Sequence, residues 1–196
     1  KGNSTSDEKI NKVVFGTINN TSTGTAGYEN FTAQIANVNK GTAYTITITP
    51  KWTSTTYNEG YAVFIDYNAD GDFADAGETV FTKAASKTTP VSGSITIPAT
   101  ALTGNTRMRV SMKYNGIPTS CEAFSYGQVE DYTLNIKAAG TVASLAGANA
   151  ETAVNVYPNP VKDVLNINAK GDYNYQLVYK EEKIIKDGNQ SESAIN

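Results

Sequence analysis

Tyr44-Thr45-Ile46-Thr47-Ile48-Thr49 sets an apolar side chain at alternate positions with hydroxyls between them. That is a period of two, the pattern of a strand with one buried face and one wet face. Pro50 is expected to end it, because proline cannot donate to a ladder. Working outward, Arg107-Met108-Arg109-Val110-Ser111-Met112-Lys113-Tyr114 alternates as cleanly, with Met108, Val110, Met112 and Tyr114 on one side. Tyr61 to Ile65 is continuously apolar, as a central strand would be. Ser94 to Ile97 and Tyr132 to Ile136 repeat the alternation, and Val13 to Ile18 does so more weakly. Gly, Asn, Asp and Pro clusters between these runs read as turns. No segment keeps apolar residues at helical spacing for three turns.

The expected fold is therefore all-β, a β-sandwich of jelly-roll or Ig-like type over residues 1–137. From 138 to 152 the chain reads AAGTVASLAGANAET, a composition that suits a flexible linker, with a weak helix as the rival. Residues 153–196 form a second, short β-like region: Val154-Asn155-Val156-Tyr157, Val164-Leu165-Asn166-Ile167, and further candidates at 173–179 and 183–186. About forty-five residues make a marginal core without a staple or a partner, so an incomplete second sandwich is expected.

Composition excludes several functions. The formal net charge is −3 and no basic run with interleaved aromatics occurs, so nucleic acid is not an expected partner. No apolar stretch approaches the ~20 residues that span a bilayer. The amino end, KGNSTSDEK, lacks the charged-then-apolar pattern of a leader, so the signal peptide of an exported chain would lie upstream. Histidine is absent and Cys121 is the single cysteine. A Cys/His zinc site and a Ser–His or Cys–His nucleophile pair cannot be assembled. The chain is not expected to be an enzyme.

One loop carries chemistry: Asp66-Tyr67-Asn68-Ala69-Asp70-Gly71-Asp72-Phe73-Ala74-Asp75-Ala76-Gly77-Glu78. Oxygen donors at alternate positions, with a glycine to let the chain curl, are what a hard cation needs. Asp66, Asn68, Asp70 and Asp72 stand at the first, third, fifth and seventh positions of an EF-hand-type loop. The twelfth is Gly77, and Glu78 falls one residue late. With a strand on either side, this is a hairpin loop and not an EF-hand. The expectation is one calcium ion (Ca2+) held by Asp66, Asn68, Asp70, Asp72, Glu78 and Asp75. Glu130 or Asp131 is a further candidate, supplying a carboxylate from another strand. The bland alternative is a solvated Asx-rich turn, but without a cation so many carboxylates in one loop would repel each other.

Trp52, Tyr57 and Tyr67, with Tyr61, lie near that loop in sequence. They suit either sandwich core or a stacking platform for a sugar or peptide. Cys121 reads as a buried free thiol or, in an exported chain, as half of a disulfide with a partner outside this segment.

Two stretches carry family resemblances. Val63 to Asn68, Gly77-Glu78, Arg107 to Met112 and Gly127-Gln128-Val129-Glu130-Asp131-Tyr132 together resemble the GEVED domain, with Gln128 where the name has Glu. The resemblance spans residues 1–137. It implies a secreted protein of Bacteroidetes-like bacteria, the domain commonly lying beside a peptidase or other hydrolase. It also implies a cysteine just upstream of Lys1 paired with Cys121, which an extracellular location permits. Val154 to Val161, containing Tyr157-Pro158-Asn159-Pro160, with Val164 to Ile167, resembles the carboxy-terminal sorting domain read by type IX secretion machinery. The Gly-containing strand and basic end of that family do not follow here. The function expected is a non-catalytic accessory domain of a secreted hydrolase, with an export signal. Its partners would be the parent catalytic domain or an extracellular biopolymer, protein or polysaccharide. The alternative is a structural module of a cell-surface adhesin.

Overall fold

A computed structural model describes residues 1–139 in full and the backbone of four short strands within residues 155–190. The chain divides into two compact units, Lys1–Thr141 and Val142–Asn196. Among the described residues there is no helix, so none long and apolar enough to cross a membrane.

The first unit holds ten strands: β1 (Gly2–Ser4), β2 (Glu8–Phe15), β3 (Ile18–Thr21), β4 (Tyr28–Asn39), β5 (Ala43–Trp52), β6 (Glu59–Ile65), β7 (Thr79–Ser86), β8 (Val91–Thr96), β9 (Gly104–Tyr114) and β10 (Phe124–Lys137). They form two sheets. One runs β1-β10-β9-β6-β7, with β4 also paired to β10, and the other runs β3-β2-β5-β8. The apolar sides of the alternating strands meet between the sheets. Ile10, Val13, Phe15, Ile46 and Ile48 come from one side, and Tyr61, Val63, Met108, Val110, Met112 and Leu134 from the other. The all-β sandwich expected from the period-two runs is the observed architecture. Each fully buried large side chain contributes about 1.5–3 kcal/mol, so this shared seam is the main force joining the sheets.

β6 is buried along its whole length. It pairs antiparallel with β7 on one side and β9 on the other. Tyr61, Val63 and Ile65 face the partner sheet, while Ala62 and Phe64 face outward beneath Phe73. That two-sided burial accounts for the unbroken apolar run.

Three local expectations are corrected. Pro50 does not end β5. It lies inside it, opposite Ile10, where the β2 register slips between Ile10 and Lys12, and such an irregularity tolerates a missing donor. The weak run at Val13–Ile18 is two strands, because the chain turns between Phe15 and Ile18. β4, a twelve-residue strand, went unforeseen. It lies parallel to β10 at the sheet margin, and most of its residues are at least partly exposed. Only Ala36 and Val38 are fully buried, with Phe31 packed against the core beside them, which leaves little apolar alternation to read.

In the second unit, β11 (Asn155–Tyr157) pairs with β12 (Asn166–Asn168), and β13 (Tyr173–Val178) with β14 (Ile184–Gln190), both antiparallel. Pro158-Asn159-Pro160 and residues 140–152 of the expected linker lie outside the described residues.

A candidate cation loop at the end of β6

Both ends of the segment between β6 and β7 are pinned by backbone bonds. Ile65 N–H donates to the Glu78 carbonyl (2.9 Å), Asp66 N–H to the Arg107 carbonyl (3.1 Å) and Leu102 N–H to the Tyr67 carbonyl (2.8 Å). Within these anchors the Asx residues build consecutive turns. Asn68 Oδ1 accepts from Asp70 N–H (3.2 Å), Asp70 Oδ1 from Asp72 N–H (3.1 Å) and Asp72 Oδ1 from Ala74 N–H (2.8 Å). Gly71 and Gly77 stand at φ +96° and +93°, where a side chain is strained.

Asp70, Asp72 and Asp75 are exposed, and one carboxylate oxygen of each lies within 4.8 Å of the others. The Asn68 amide holds two of them together, donating to Asp70 Oδ2 (3.0 Å) and Asp75 Oδ2 (2.7 Å). Hydrogen bonds from Asp72 N–H and the Asn68 amide keep the Asp70 carboxyl below its ordinary range, as a charged acceptor. Asp66 is 5% exposed. Its Oδ2 accepts from Gly71 N–H (3.0 Å), while Oδ1 is buried without a hydrogen-bond partner. Glu78 is buried beneath the loop, taking Tyr67 N–H on Oε1 (2.8 Å) and, at a longer 3.4 Å, Asp75 N–H on Oε2. The geometry thus brings Asp70, Asp72 and Asp75 together as oxygen donors, while Asp66 is not within that cluster and meets the loop through Gly71 N–H. Glu78 closes the loop.

Glu130 and Asp131 do not join this set. Adjacent strand residues point to opposite faces, and each of the two is committed elsewhere. Glu130 lies fully buried and accepts the Tyr132 hydroxyl on Oε2 (2.6 Å). Asp131, on the outer face, forms a two-pronged pair with Arg109: Nε to Oδ1 at 2.7 Å and Nη2 to Oδ2 at 2.7 Å. Arg109 in turn lies 5.1 Å from the Phe73 ring centroid, and Phe73 packs on Phe64. The loop is therefore fastened to the outer sheet face through Phe73, an anchor that the carboxylate spacing alone did not reveal.

The expected aromatic platform does not form. Tyr67 is buried in the core, its backbone carrying the loop while its ring packs inward. Trp52 and Tyr57 are half-buried near the start of β6, whereas the loop follows its end. Six residue steps at about 3.3 Å each separate them by ~20 Å. Trp52 Nε1 donates to Glu59 Oε1 (3.2 Å), and Tyr57 packs edge-on against Tyr114. Cys121 is exposed with a free thiol, contrary to the buried reading. The Lys1 main-chain nitrogen donates to the Glu122 carbonyl (2.6 Å), which places Lys1 beside the Cys121 segment.

The segment Gly127–Tyr132 owes its polar composition to these contacts. Gln128 is fully buried, accepting Ile10 N–H on Oε1 (2.9 Å) and donating from Nε2 to the Ala26 carbonyl (3.2 Å) and Glu29 Oε2 (3.0 Å). An amide serves there where a carboxylate would face Glu29. Residues 60–135, from within β6 into β10, match the GEVED domain. GEVED domains as a family are small, non-catalytic, accessory-type domains found in extracellular proteins. No curated protein matches the chain.

Proposed function

We propose that the first unit is a calcium-stabilised accessory domain of a secreted or cell-surface protein, the β6–β7 loop being its ion site. One observation carries the proposal: the Asp70, Asp72 and Asp75 oxygens converge in a loop at whose start Asp66 keeps a buried oxygen without a partner. Buried carboxylate oxygens are ordinarily satisfied, and mutually facing carboxylates repel unless a cation joins them. Calcium suits this set because it takes carboxylate, amide and backbone oxygens in adaptable geometry. Asn68 contributes once its amide oxygen turns inward, and the Asp72 carbonyl is available as well. The ion's role is structural. It would fix the hairpin that Phe73 fastens to the sheet.

The GEVED match supports the accessory role. The parent protein we propose is a hydrolase of the peptidase class, whose catalytic domain or polymeric substrate this unit contacts. The Tyr157-Pro158-Asn159-Pro160 pattern supports a carboxy-terminal region acting as a type IX sorting segment.

The test is thermal melting of the full chain in calcium and in chelator. With a dissociation constant near 0.1 mM, ~10 mM calcium should raise Tm by about 5–10 °C. In D70N/D72N/D75N that shift should vanish. A parent Tm indifferent to both calcium and chelator refutes the proposal.

A further inference from the structure

At the opposite end of β6, Tyr57, Tyr114 and Tyr126 wall a cavity of about 230 Å3 whose other lining residues are Asp7 and Glu8. The rings stand edge to face, Tyr57 against Tyr114 at 5.8 Å and Tyr114 against Tyr126 at 6.2 Å. Tyr114 and Tyr126 are 43% and 45% exposed, large for tyrosines on packed strands. The acids beside them are buried. Glu8 is 3% exposed and its Oε1 has no partner; Glu59 is fully buried and its Oε2 has none either. The Tyr61 hydroxyl, in the same neighbourhood, is likewise unpartnered. Among the described residues neither glutamate is in an ion pair, and no lysine or arginine lines the cavity.

Buried carboxyls that each keep an unpartnered oxygen are costly when charged, so they hold a proton or meet a counter-charge from outside the chain, and the open cavity beside Glu8 admits such a charge. A hard metal ion does not fit. The acids here do not converge as a ligand cluster, and tyrosine faces offer such an ion little. Aromatic walls around a carboxylate floor suit an organic cation, held by ring faces and by charge-assisted hydrogen bonds.

We propose that this cavity binds an alkylammonium group, the head of a lysine side chain or of a free amine, between the tyrosine rings and against Glu8, with Glu59 buried behind it. Burial and the neighbouring Glu59 and Asp7 push the Glu8 carboxyl up to about 7, a perturbation that a seated cation relieves. The site does not depend on the calcium loop.

Trp52, the single tryptophan, donates its Nε1–H to Glu59 Oε1 and therefore reports on the buried acids behind the cavity. Its fluorescence in the full chain should respond saturably to n-butylammonium and to an acetylated, amidated lysine peptide. Midpoints in the millimolar range are expected, as is no response to n-butanol. E8Q should weaken both by about tenfold through loss of a charged hydrogen-bond acceptor. Y126A, a change at an exposed ring that leaves the core intact, should weaken them several-fold. Tighter binding of the peptide than of butylammonium assigns the site to a polypeptide lysine, and equal binding assigns it to free amines. The proposal is overturned if neither amine gives a saturable response or if n-butanol gives the same one. It also fails if Y126A binds as the parent does, a result that holds even should E8Q not fold.

Discussion

Glu130 offers the most quantitative prediction. Its carboxyl lies between the two sheets, fully buried, with one oxygen taking the Tyr132 hydroxyl and the other unpartnered. Burial is the main cause that raises its pKa from 4.5 to about 7, outweighing the hydrogen bonds from Ser22 and Tyr132. The folded state thus holds this proton more tightly than the unfolded chain does. Glu130's contribution to stability is fully present below about pH 4.5 and is lost as pH rises through about 7. At ~1.4 kcal/mol per pH unit, the loss by pH 9 is about 3 kcal/mol. E130Q mimics the protonated acid, since its amide oxygen still accepts the Tyr132 hydroxyl. Urea unfolding followed by Trp52 fluorescence should find parent and variant close in stability at pH 4.5. At pH 9 the variant should be the more stable by about 3 kcal/mol. Glu8 and Glu59 are raised as well, but they are present in both proteins and drop out of the difference. A difference between the two proteins that is the same at both pH values would refute the reasoning.

Two other substitutions test how the loop is fastened. D131N leaves the Arg109 guanidinium, 17% exposed, without its paired carboxylate, and should cost about 3 kcal/mol in chemical denaturation. F73A removes the ring between Phe64 and Arg109; a loss of about 3 kcal/mol is expected, together with weaker calcium retention measured by equilibrium dialysis. Stability within ~0.5 kcal/mol of the parent in either variant would contradict the packing described.

The sandwich was legible because its central strands obey a period of two without interruption, as at Ile46/Ile48 and Met108/Val110/Met112. β4 was not, since a strand at a sheet margin with mostly exposed residues has no buried stripe to advertise it. The alternate spacing of the loop put Asp70 and Asp72 side by side, because alternate residues around a tight curl point inward; Asp75, three residues further on, falls outside that spacing and is held there by the Asn68 amide. The spacing could not tell that Glu130 and Asp131, adjacent in sequence, face opposite sides of β10 and meet Tyr132 and Arg109 instead. The Tyr57–Tyr114–Tyr126 cavity was invisible for a different reason. Its walls come from segments far apart in the chain, joined only by the pairing of β6, β9 and β10.

The central claim, that the β6–β7 loop is a calcium site, is tested most directly by isothermal titration of the full chain with calcium after chelator treatment. One ion per chain is predicted, with a dissociation constant near 0.1 mM. D66N, which removes charge from the buried unpartnered oxygen while keeping the acceptor for Gly71, should weaken it at least tenfold. No heat of binding up to 10 mM calcium, or an affinity unchanged in D66N, would contradict the account.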